Sequence, residues 1–146
     1  MQRVTMTAEA GFELNLSMED ALPLFTAEGE RLWAPGWEPE VLGAGAGSVF
    51  VTRAGDSETT WVVVDYDTSR GIARYARWVP DVQAGLVEVH CTALAPDRSA
   101  VRVRYTLTPL SAAAVGTVGA FLEPQRFAAF IAGWRRSIVT AGLAAA

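Results

Sequence analysis

Residues 123–142 read EPQRFAAFIAGWRRSIVTAG, and this stretch decides the fold. Its large apolar side chains recur at the period of an α-helix. They are Phe127, Phe130, Ile131, Trp134 and Ile138. Two Phe and one Trp make this stripe bulky, so it needs a wide, concave partner, and the preceding sequence supplies mainly strands. We therefore predict a curved sheet wrapped around one long helix, with an apolar space between them.

The length and composition of the chain indicate a single domain over residues 1–146. Hydrophobic residues make up 51% of the chain, which is ample for a core, and charged residues make up 19%, too few for a disordered chain. The apolar runs are shorter than a membrane span, and the N-terminus lacks the apolar segment of a signal peptide. Cys91 is the only cysteine, so no intrachain disulfide can form, which favours a reducing, cytoplasmic location.

Charge and residue usage argue against several classes of function. The net charge of −4 and the absence of a basic run argue against a nucleic-acid surface. All 12 basic residues are Arg, which removes Schiff-base lysines and P-loop phosphate binding. A single His and a single Cys argue against a zinc site. We predict neither a bound metal nor a cofactor.

Upstream of the long helix, the chain reads mainly as strands. Val4–Leu16 has the alternation of a long strand, Ser17 is a candidate helix N-cap, and Pro23 keeps that helix short. A stiff loop rich in Pro and Gly then carries Trp33 and Trp37. Five further candidate strands, separated by turn residues, have the spacing of an antiparallel meander. They cover residues 48–53, 59–67, 71–79, 82–95 and 98–110.

The start of the last helix has two interpretations. The apolar positions of residues 111–122 lie on the opposite helical phase to Phe127 and Trp134, and Pro124 stands at the phase break. Either the helix begins near Pro124, since proline is tolerated at the first helical position, or a longer helix kinks there.

The order of these elements resembles the START-related, helix-grip (SRPBCC) superfamily: a strand, two short helices, an antiparallel sheet and a long C-terminal helix. The segments that carry the resemblance are Phe25–Pro39, Trp61–Asp67, Tyr75–Arg77 with Pro80, and Tyr105–Ser111. The resemblance implies an α+β helix-grip fold and extends to polyketide cyclase/dehydratase-like bacterial members. That superfamily contains carriers, receptors and cyclases, so the resemblance leaves the activity open.

Strand geometry predicts which side chains face the helix. Pairing across the turns at 68–70, 80–84 and 96–98 builds inner rows, because successive side chains alternate between the two faces. The rows are Trp61–Arg77–Val87–Leu107, Val63–Tyr75–Val89–Tyr105 and Asp65–Ala73–Cys91–Val103. An apolar wall with a few polar groups is typical of a small-molecule site. The predicted ligand-binding residues are Trp33, Trp37, Trp61, Tyr75, Arg77, Val89, Tyr105, Phe127, Phe130 and Trp134.

Each polar residue also has a purely structural interpretation. Arg77 could stack on Trp61 as a cation–π pair, or pair with Asp65, without contacting a ligand. The hydroxyls of the inner tyrosines could belong to core residues. Glu28 and Glu30 read as solvated, helix-end charges more than as catalytic ones.

Two functions of different class follow, with a third behind them. The first is a binding protein for a hydrophobic or aromatic small molecule, whose polar end Arg77 would bind through its fork of donors. The second, which the resemblance implies, is a cyclase/dehydratase-like enzyme acting on a poly-carbonyl or aromatic substrate. Arg77 would then stabilise oxyanion charge, and Tyr75 or Asp65 would move protons. No histidine falls in the predicted cavity, which favours binding; the third function is an interaction module without a ligand.

The outer face of the predicted sheet is apolar at one end. It carries Val62, Val64, Tyr66, Ala76, Trp78 and Leu86, whereas His90 lies outward at the Arg-rich end. Exposed apolar patches usually mark an interface. We predict a homodimer centred near Trp78 and Val62; the alternative is a monomer in which the N-terminal residues or the 34–47 loop cover this patch.

Overall fold

A computed structural model describes residues 4–146 and confirms the helix-grip architecture. One curved antiparallel sheet has the strand order β1-β7-β6-β5-β4-β3-β2. The strands are β1 Met6–Leu14, β2 Glu40–Val41, β3 Val49–Ala54, β4 Ser57–Asp67, β5 Ile72–Val79, β6 Gln83–Ala95 and β7 Arg98–Pro109. The helices are α1 Met18–Ala21, α2 Ala27–Glu30, α3 Ala114–Phe121 and α4 Pro124–Thr140. None of these helices is long and apolar enough to cross a membrane.

Local capping explains the short helices that follow β1. The Ser17 hydroxyl accepts a hydrogen bond from the Asp20 backbone N–H at 3.1 Å, as the sequence predicts. A 3₁₀ turn at Leu22–Phe25 follows, and Thr26 then caps α2 by accepting from the Gly29 N–H at 3.0 Å. These caps fix the direction in which the chain leaves α2, and therefore the position of the tryptophan loop.

The long helix begins at Pro124, which confirms the first of the two interpretations and makes the kinked helix wrong. The carboxylate of Glu123 accepts hydrogen bonds from the backbone N–H groups of Gln125 and Arg126, at 3.1 and 3.0 Å. Pro124 takes the first helical position, where its missing N–H costs nothing. Residues Ala114–Phe121 form a separate helix on the other side of this boundary.

The apolar stripe of α4 divides into a buried and a partly exposed half. Phe127, Ile131 and Ile138 are fully buried, whereas Phe130 keeps 39% of its surface and Trp134 is half-buried. The helix packs against β1, at one edge of the sheet. Phe130 and Trp134, the half of the stripe that points away from β1, are therefore free to contact other parts of the protein or a ligand.

In the β4–β5 hairpin, two of the predicted residue pairs are present and a third is wrong. The pairs that hold are Trp61–Arg77 and Val63–Tyr75. After Val63, a β-bulge shifts the register, so that Asp65 pairs with Arg74 and Tyr66 pairs with Ala73. One extra residue reverses the two faces of the strand beyond it. Asp65 therefore lies on the outer face, where it can neither pair with the inner face nor act in the cavity, and Tyr66 lies inward.

The register beyond β5 is shifted by two residues from the prediction, which preserves the faces. The loop after β5 is short because Asp81 adopts a positive φ of 64°, which lets Val79 pair with Gln83. The observed rows are Trp61–Arg77–Gly85–Leu107, Val63–Tyr75–Val87–Tyr105 and Tyr66–Ala73–Val89–Val103. Gly85 thus stands beside Arg77, and a Cβ there would collide with the Thr106 carbonyl. Glycine is required at this close approach of two strands.

Two phenylalanines of α4 provide a matched test of this packing. Phe127→Ala should lower the free energy of unfolding by about 3–5 kcal/mol, because it opens a void in a fully buried site. Phe130→Ala should cost about 1 kcal/mol, since its ring is partly exposed already. Urea unfolding of both variants measures the difference, and equal costs would show that the helix face is assigned wrongly.

Candidate functional site

A cavity of about 370 Å³ lies between the exposed half of the α4 stripe, the tryptophan loop and the sheet. It is lined by Glu30, Trp33, Ala34, Pro35, Trp37, Trp61, Arg77, Tyr105, Phe130, Gly133, Trp134 and Ser137. A small extension of about 20 Å³ continues inward to Val89 and Tyr75. The walls are therefore mainly aromatic, and the charged groups are one arginine and one glutamate.

Indole hydrogen bonds hold the tryptophan loop in place. The Trp33 ring N–H donates to the Leu24 carbonyl, and the Trp37 ring N–H donates to the Ala27 carbonyl, both at 2.8 Å. Because both carbonyls belong to the short-helix region, the rings cannot rotate without breaking a bond to their own support. The loop therefore forms a fixed wall of the cavity.

The opposite wall is a stack of rings on the sheet. Trp61 stacks on Phe50 with ring centroids 5.6 Å apart and planes 7° from parallel. Its ring N–H donates to the Thr52 hydroxyl at 3.0 Å. Trp37 meets both rings edge to face. The polar atom of Trp61 is thus satisfied away from the cavity, and its apolar surface is left to face the cavity.

Arg77 lies on this wall, and no carboxylate in the described part of the chain pairs with it. Its guanidinium sits 4.9 Å from the centre of the Trp61 ring, and Nε donates to Gln83 Oε1 at 3.0 Å. The predicted cation–π stacking is therefore present, whereas no ion pair to Arg77 occurs within residues 4–146, and Asp65 is on the other face. Burial lowers the pKa of Arg77, but the group remains a cation at neutral pH.

The two inner tyrosines differ in what their hydroxyls do. The Tyr75 hydroxyl donates to the Phe25 carbonyl at 2.6 Å in a buried position, so it is a structural bond between the sheet and the short helices. Tyr105 lines the cavity, and within residues 4–146 its hydroxyl has no such bond. Burial raises the pKa of Tyr105 to about 12, so it stays a neutral hydrogen-bonding group.

Glu30 also lines the cavity, which corrects its assignment as a solvated charge. It is the last residue of α2, one helical turn before Trp33, and it borders both the main cavity and its inner extension. Desolvation by the surrounding protein raises the pKa of its carboxyl to about 8. Glu28, two residues earlier, is exposed and pairs with Arg31 at 2.9 Å, as a solvated charge should. The helical spacing from Glu30 to Trp33 was the available signal for this placement.

The remaining predicted site residues fall at different depths. Phe130 and Trp134 line the main cavity, and Val89 lies only at its inner extension. Phe127 lines neither space, because it is fully buried behind Tyr105, with ring centroids 5.3 Å apart. Cys91 is a buried thiol, and its burial raises its pKa to about 12. His90 is exposed on the outer face.

A second cavity of about 280 Å³ lies on the far side of the ring stack. It is bounded by α2, by the glycine-containing segment 43–48, and by Phe50, Tyr66 and Tyr75. Its surface is mainly apolar, and its polar lining residues are Thr26, Glu28, Ser48, Tyr66 and Tyr75. Within residues 4–146, no group of three or more His, Cys, Asp or Glu side chains is arranged to hold a metal. The first cavity is therefore the one that combines a buried cation, Arg77, with a desolvated carboxyl, Glu30.

The two tyrosines can be separated experimentally. Tyr75→Phe should lower the free energy of unfolding by about 1–3 kcal/mol, because it leaves the buried Phe25 carbonyl without its donor. Tyr105→Phe should cost less than about 1 kcal/mol, since it removes no internal hydrogen bond. Thermal denaturation of both variants checks this, and an equal loss of stability would mean that the Tyr105 hydroxyl is also structural.

The comparisons with known proteins agree with this architecture. No protein-family model matches the sequence, and no curated protein matches it at a significant level. Among solved structures, a truncated norcoclaurine synthase from Thalictrum flavum has a TM-score of 0.74 at 14% identity, over 98% of this chain and 96% of that chain.

Two further structures show the same architecture. The Zhui aromatase/cyclase from Streptomyces sp. R1128 has a TM-score of 0.59 at 16% identity, over 96% of this chain and 90% of that chain. The major latex-like protein 151 from Panax ginseng has a TM-score of 0.67 at 12% identity, over 93% and 96%. At these identities the similarity establishes the fold alone: the chain has the helix-grip fold that the order of its elements predicts.

Proposed function

We propose that this protein binds a small aromatic molecule that carries an acidic oxygen group, in the cavity lined by Arg77. The observation that carries the proposal is the environment of that guanidinium. It is largely buried, it stacks on Trp61, and among residues 4–146 its one side-chain hydrogen bond is to the neutral amide of Gln83. A buried cation is normally paired with an anion. A ligand oxyanion would complete the pairing that the described residues leave open.

The walls of the cavity support an aromatic ligand. Trp33, Trp61, Phe130 and Trp134 present ring surface, and the Tyr105 hydroxyl is free to orient a polar end. Apolar walls with few convergent polar groups are typical of small-molecule sites. A norcoclaurine synthase with the same fold has been solved in complex with dopamine and hydroxybenzaldehyde, which are aromatic compounds.

A cofactor-independent cyclase or dehydratase acting on a poly-carbonyl or aromatic substrate is the second candidate. Glu30 favours it, because a carboxyl with a pKa of about 8 can exchange a proton near neutral pH. Glu30 is a better candidate for proton transfer than Asp65, which lies on the outer face, or Tyr75, whose hydroxyl donates to the Phe25 carbonyl. In this alternative Arg77 would stabilise the oxyanion that forms as Glu30 removes a proton.

Paired ligands can test the role of Arg77. We expect 2-naphthoate to quench the tryptophan fluorescence of the wild type, and Arg77→Met to weaken its affinity by about 10–100-fold, as for loss of a charged hydrogen bond. The affinity for naphthalene should change little, because Met keeps the apolar stem. Arg136→Met, on the exposed side of α4, is the matched control.

Three outcomes would change this account. If neither compound binds the wild type, the binding function is wrong and the interaction module without a ligand is favoured. If Arg77→Met lowers the affinity for both compounds equally, Arg77 does not bind the acidic group. If a poly-carbonyl compound is turned over, and turnover is lost in Arg77→Met and Glu30→Gln, the enzyme function replaces simple binding.

We also propose that the protein is a cytoplasmic homodimer. Trp78 keeps 50% of its surface exposed on the outer face of the sheet, so the 34–47 loop does not cover it, and Val64 keeps 45%. At the other end of this face, Arg74 and Arg102 pair with Glu88 and Glu9, at 3.2 and 2.6 Å, and would remain in solvent. Cys91 is a buried free thiol, so the fold needs no oxidising compartment.

Sedimentation velocity at micromolar concentration tests the dimer. The wild type should sediment as a dimer, and Trp78→Glu as a monomer, because a buried carboxylate at the centre of a symmetric contact would face its own copy. A strictly monomeric wild type contradicts the dimer. A dimer that the substitution leaves unchanged would place the interface elsewhere.

A further inference from the structure

Glu30 and Arg77 line the same cavity without pairing with each other. Glu30 comes from the end of α2 and Arg77 from the C-terminal half of β5, and both border the space between Trp61 and Trp134. Within residues 4–146, no ion pair joins the carboxylate to the guanidinium, nor either of them to any other group. The Glu30 carboxyl and the Arg77 guanidinium thus border a space that a ligand can enter.

The other groups that face Glu30 do not titrate near neutral pH. From the sheet these are Tyr75 and Tyr105, and burial raises the pKa of both phenols, that of Tyr105 to about 12. From α4 they are uncharged: Phe130, Gly133, Trp134 and Ser137. On its own segment, the nearest charges are Glu28 and Arg31, which pair with each other outside the cavity. Of these groups, Glu30 alone changes its charge between pH 6 and pH 9.

We propose that the cavity selects a compact aromatic carboxylate, and that Glu30 takes up a proton when this anion binds to Arg77. This inference rests on the proposed binding function. It adds the class of ligand, an aromatic carboxylate, and names Glu30 as the group whose protonation accompanies binding. A ligand carboxylate on Arg77 would place a second negative charge close to Glu30 in an apolar space, where like charges repel strongly. In its neutral form Glu30 removes that repulsion and can donate a hydrogen bond to the ligand.

The size of the cavity limits the ligand. Its volume of about 370 Å³ is near the lower end of the range for small-molecule sites, which is about 300–1,000 Å³. The ring walls on both sides favour a flat molecule, and Arg77 lies on one of those walls, so the acidic group must project from the ring system. One or two fused rings with a single carboxylate fit these limits.

The direction of the pH effect follows from the carboxyl group of Glu30. Burial raises its pKa from 4.5 to about 8 in the free protein, so at pH 6 it is already neutral and anion binding takes up no proton. Above pH 8 the group is ionised, and each ligand that binds must also bring in a proton. The ligand carboxylate and Arg77 keep their charges throughout this range. Affinity should therefore be level below pH 7 and should fall by about tenfold from pH 6 to pH 9.

Calorimetric titration with 2-naphthoate tests this inference. For the wild type we expect about tenfold weaker binding at pH 9 than at pH 6, and, at pH 8, uptake of about half a proton per ligand, measured from the difference between phosphate and Tris buffers. Glu30→Gln should bind equally at both pH values and take up no proton. Glu28→Gln, two residues away and solvated, should behave as the wild type does.

Different results would contradict proton uptake by Glu30 and the binding function itself. An affinity of the wild type that is equal at pH 6 and pH 9, with no dependence on the buffer, overturns the proposal, as does a Glu30→Gln variant that keeps the tenfold loss. Failure of 2-naphthoate to bind the wild type at either pH overturns the binding function instead. If Glu30→Gln does not fold, the proton uptake of the wild type at pH 8 tests the proposal by itself, and an uptake of zero overturns it.

Discussion

The constraint on which this structure depends is that one helix cannot cover a seven-stranded curved sheet. α4 packs against β1, so it covers the edge at which β1 and β7 meet. The inner face of β3, β4 and β5 needs another cover, and the segment that supplies it is the tryptophan loop after α2. Two covers that meet over a concave surface leave a gap between them, and the cavity is that gap.

The aromatic side chains keep this gap open and rigid at the same time. On the helix side, Phe25, Trp33 and Trp134 lie within about 6 Å of one another, and on the strand side Phe50 stacks on Trp61. Each set is anchored by hydrogen bonds from indole N–H groups to groups outside the cavity, so the rings cannot collapse inward without leaving buried donors unsatisfied. Large flat rings fixed by their edges make walls, whereas aliphatic side chains would have filled the space.

Arg77 derives its chemical character from the same arrangement. Gly85 stands opposite it on β6 and contributes no side chain, while Trp61 on β4 contributes a ring face for the guanidinium to stack on. The sheet thus supports the cation on one side, and no anion of the described residues pairs with it. A charge held in this way is stabilised enough to persist and remains available to a ligand.

The fold could be predicted from the sequence, as could part of the lining of the candidate cavity, and the rest could not, for physical reasons. Helical period, strand alternation and turn residues are local signals, so α4, the strands and the inward direction of Trp61, Arg77 and Tyr105 were predictable. The bulge after Val63 was not, because no local pattern marks it, and it moved Asp65 to the outer face.

The role of a polar residue depends on its three-dimensional surroundings. Glu30 resembles Glu28 in the sequence, and only the folded structure shows that Glu30 borders the cavity and is desolvated, whereas Glu28 is exposed and pairs with Arg31. Likewise, Phe127 and Phe130 lie on the same helical stripe, and only the folded structure shows that the first is core and the second is cavity wall.

The most direct test of this account is a crystal structure of the protein with 2-naphthoate. We expect the naphthalene ring between Trp61 and Trp134, with both carboxylate oxygens within hydrogen-bonding distance of the Arg77 guanidinium and the Glu30 carboxyl close to the ligand. A ligand bound in the apolar cavity on the far side of the Phe50–Trp61 stack, or with its carboxylate turned away from Arg77, would contradict it.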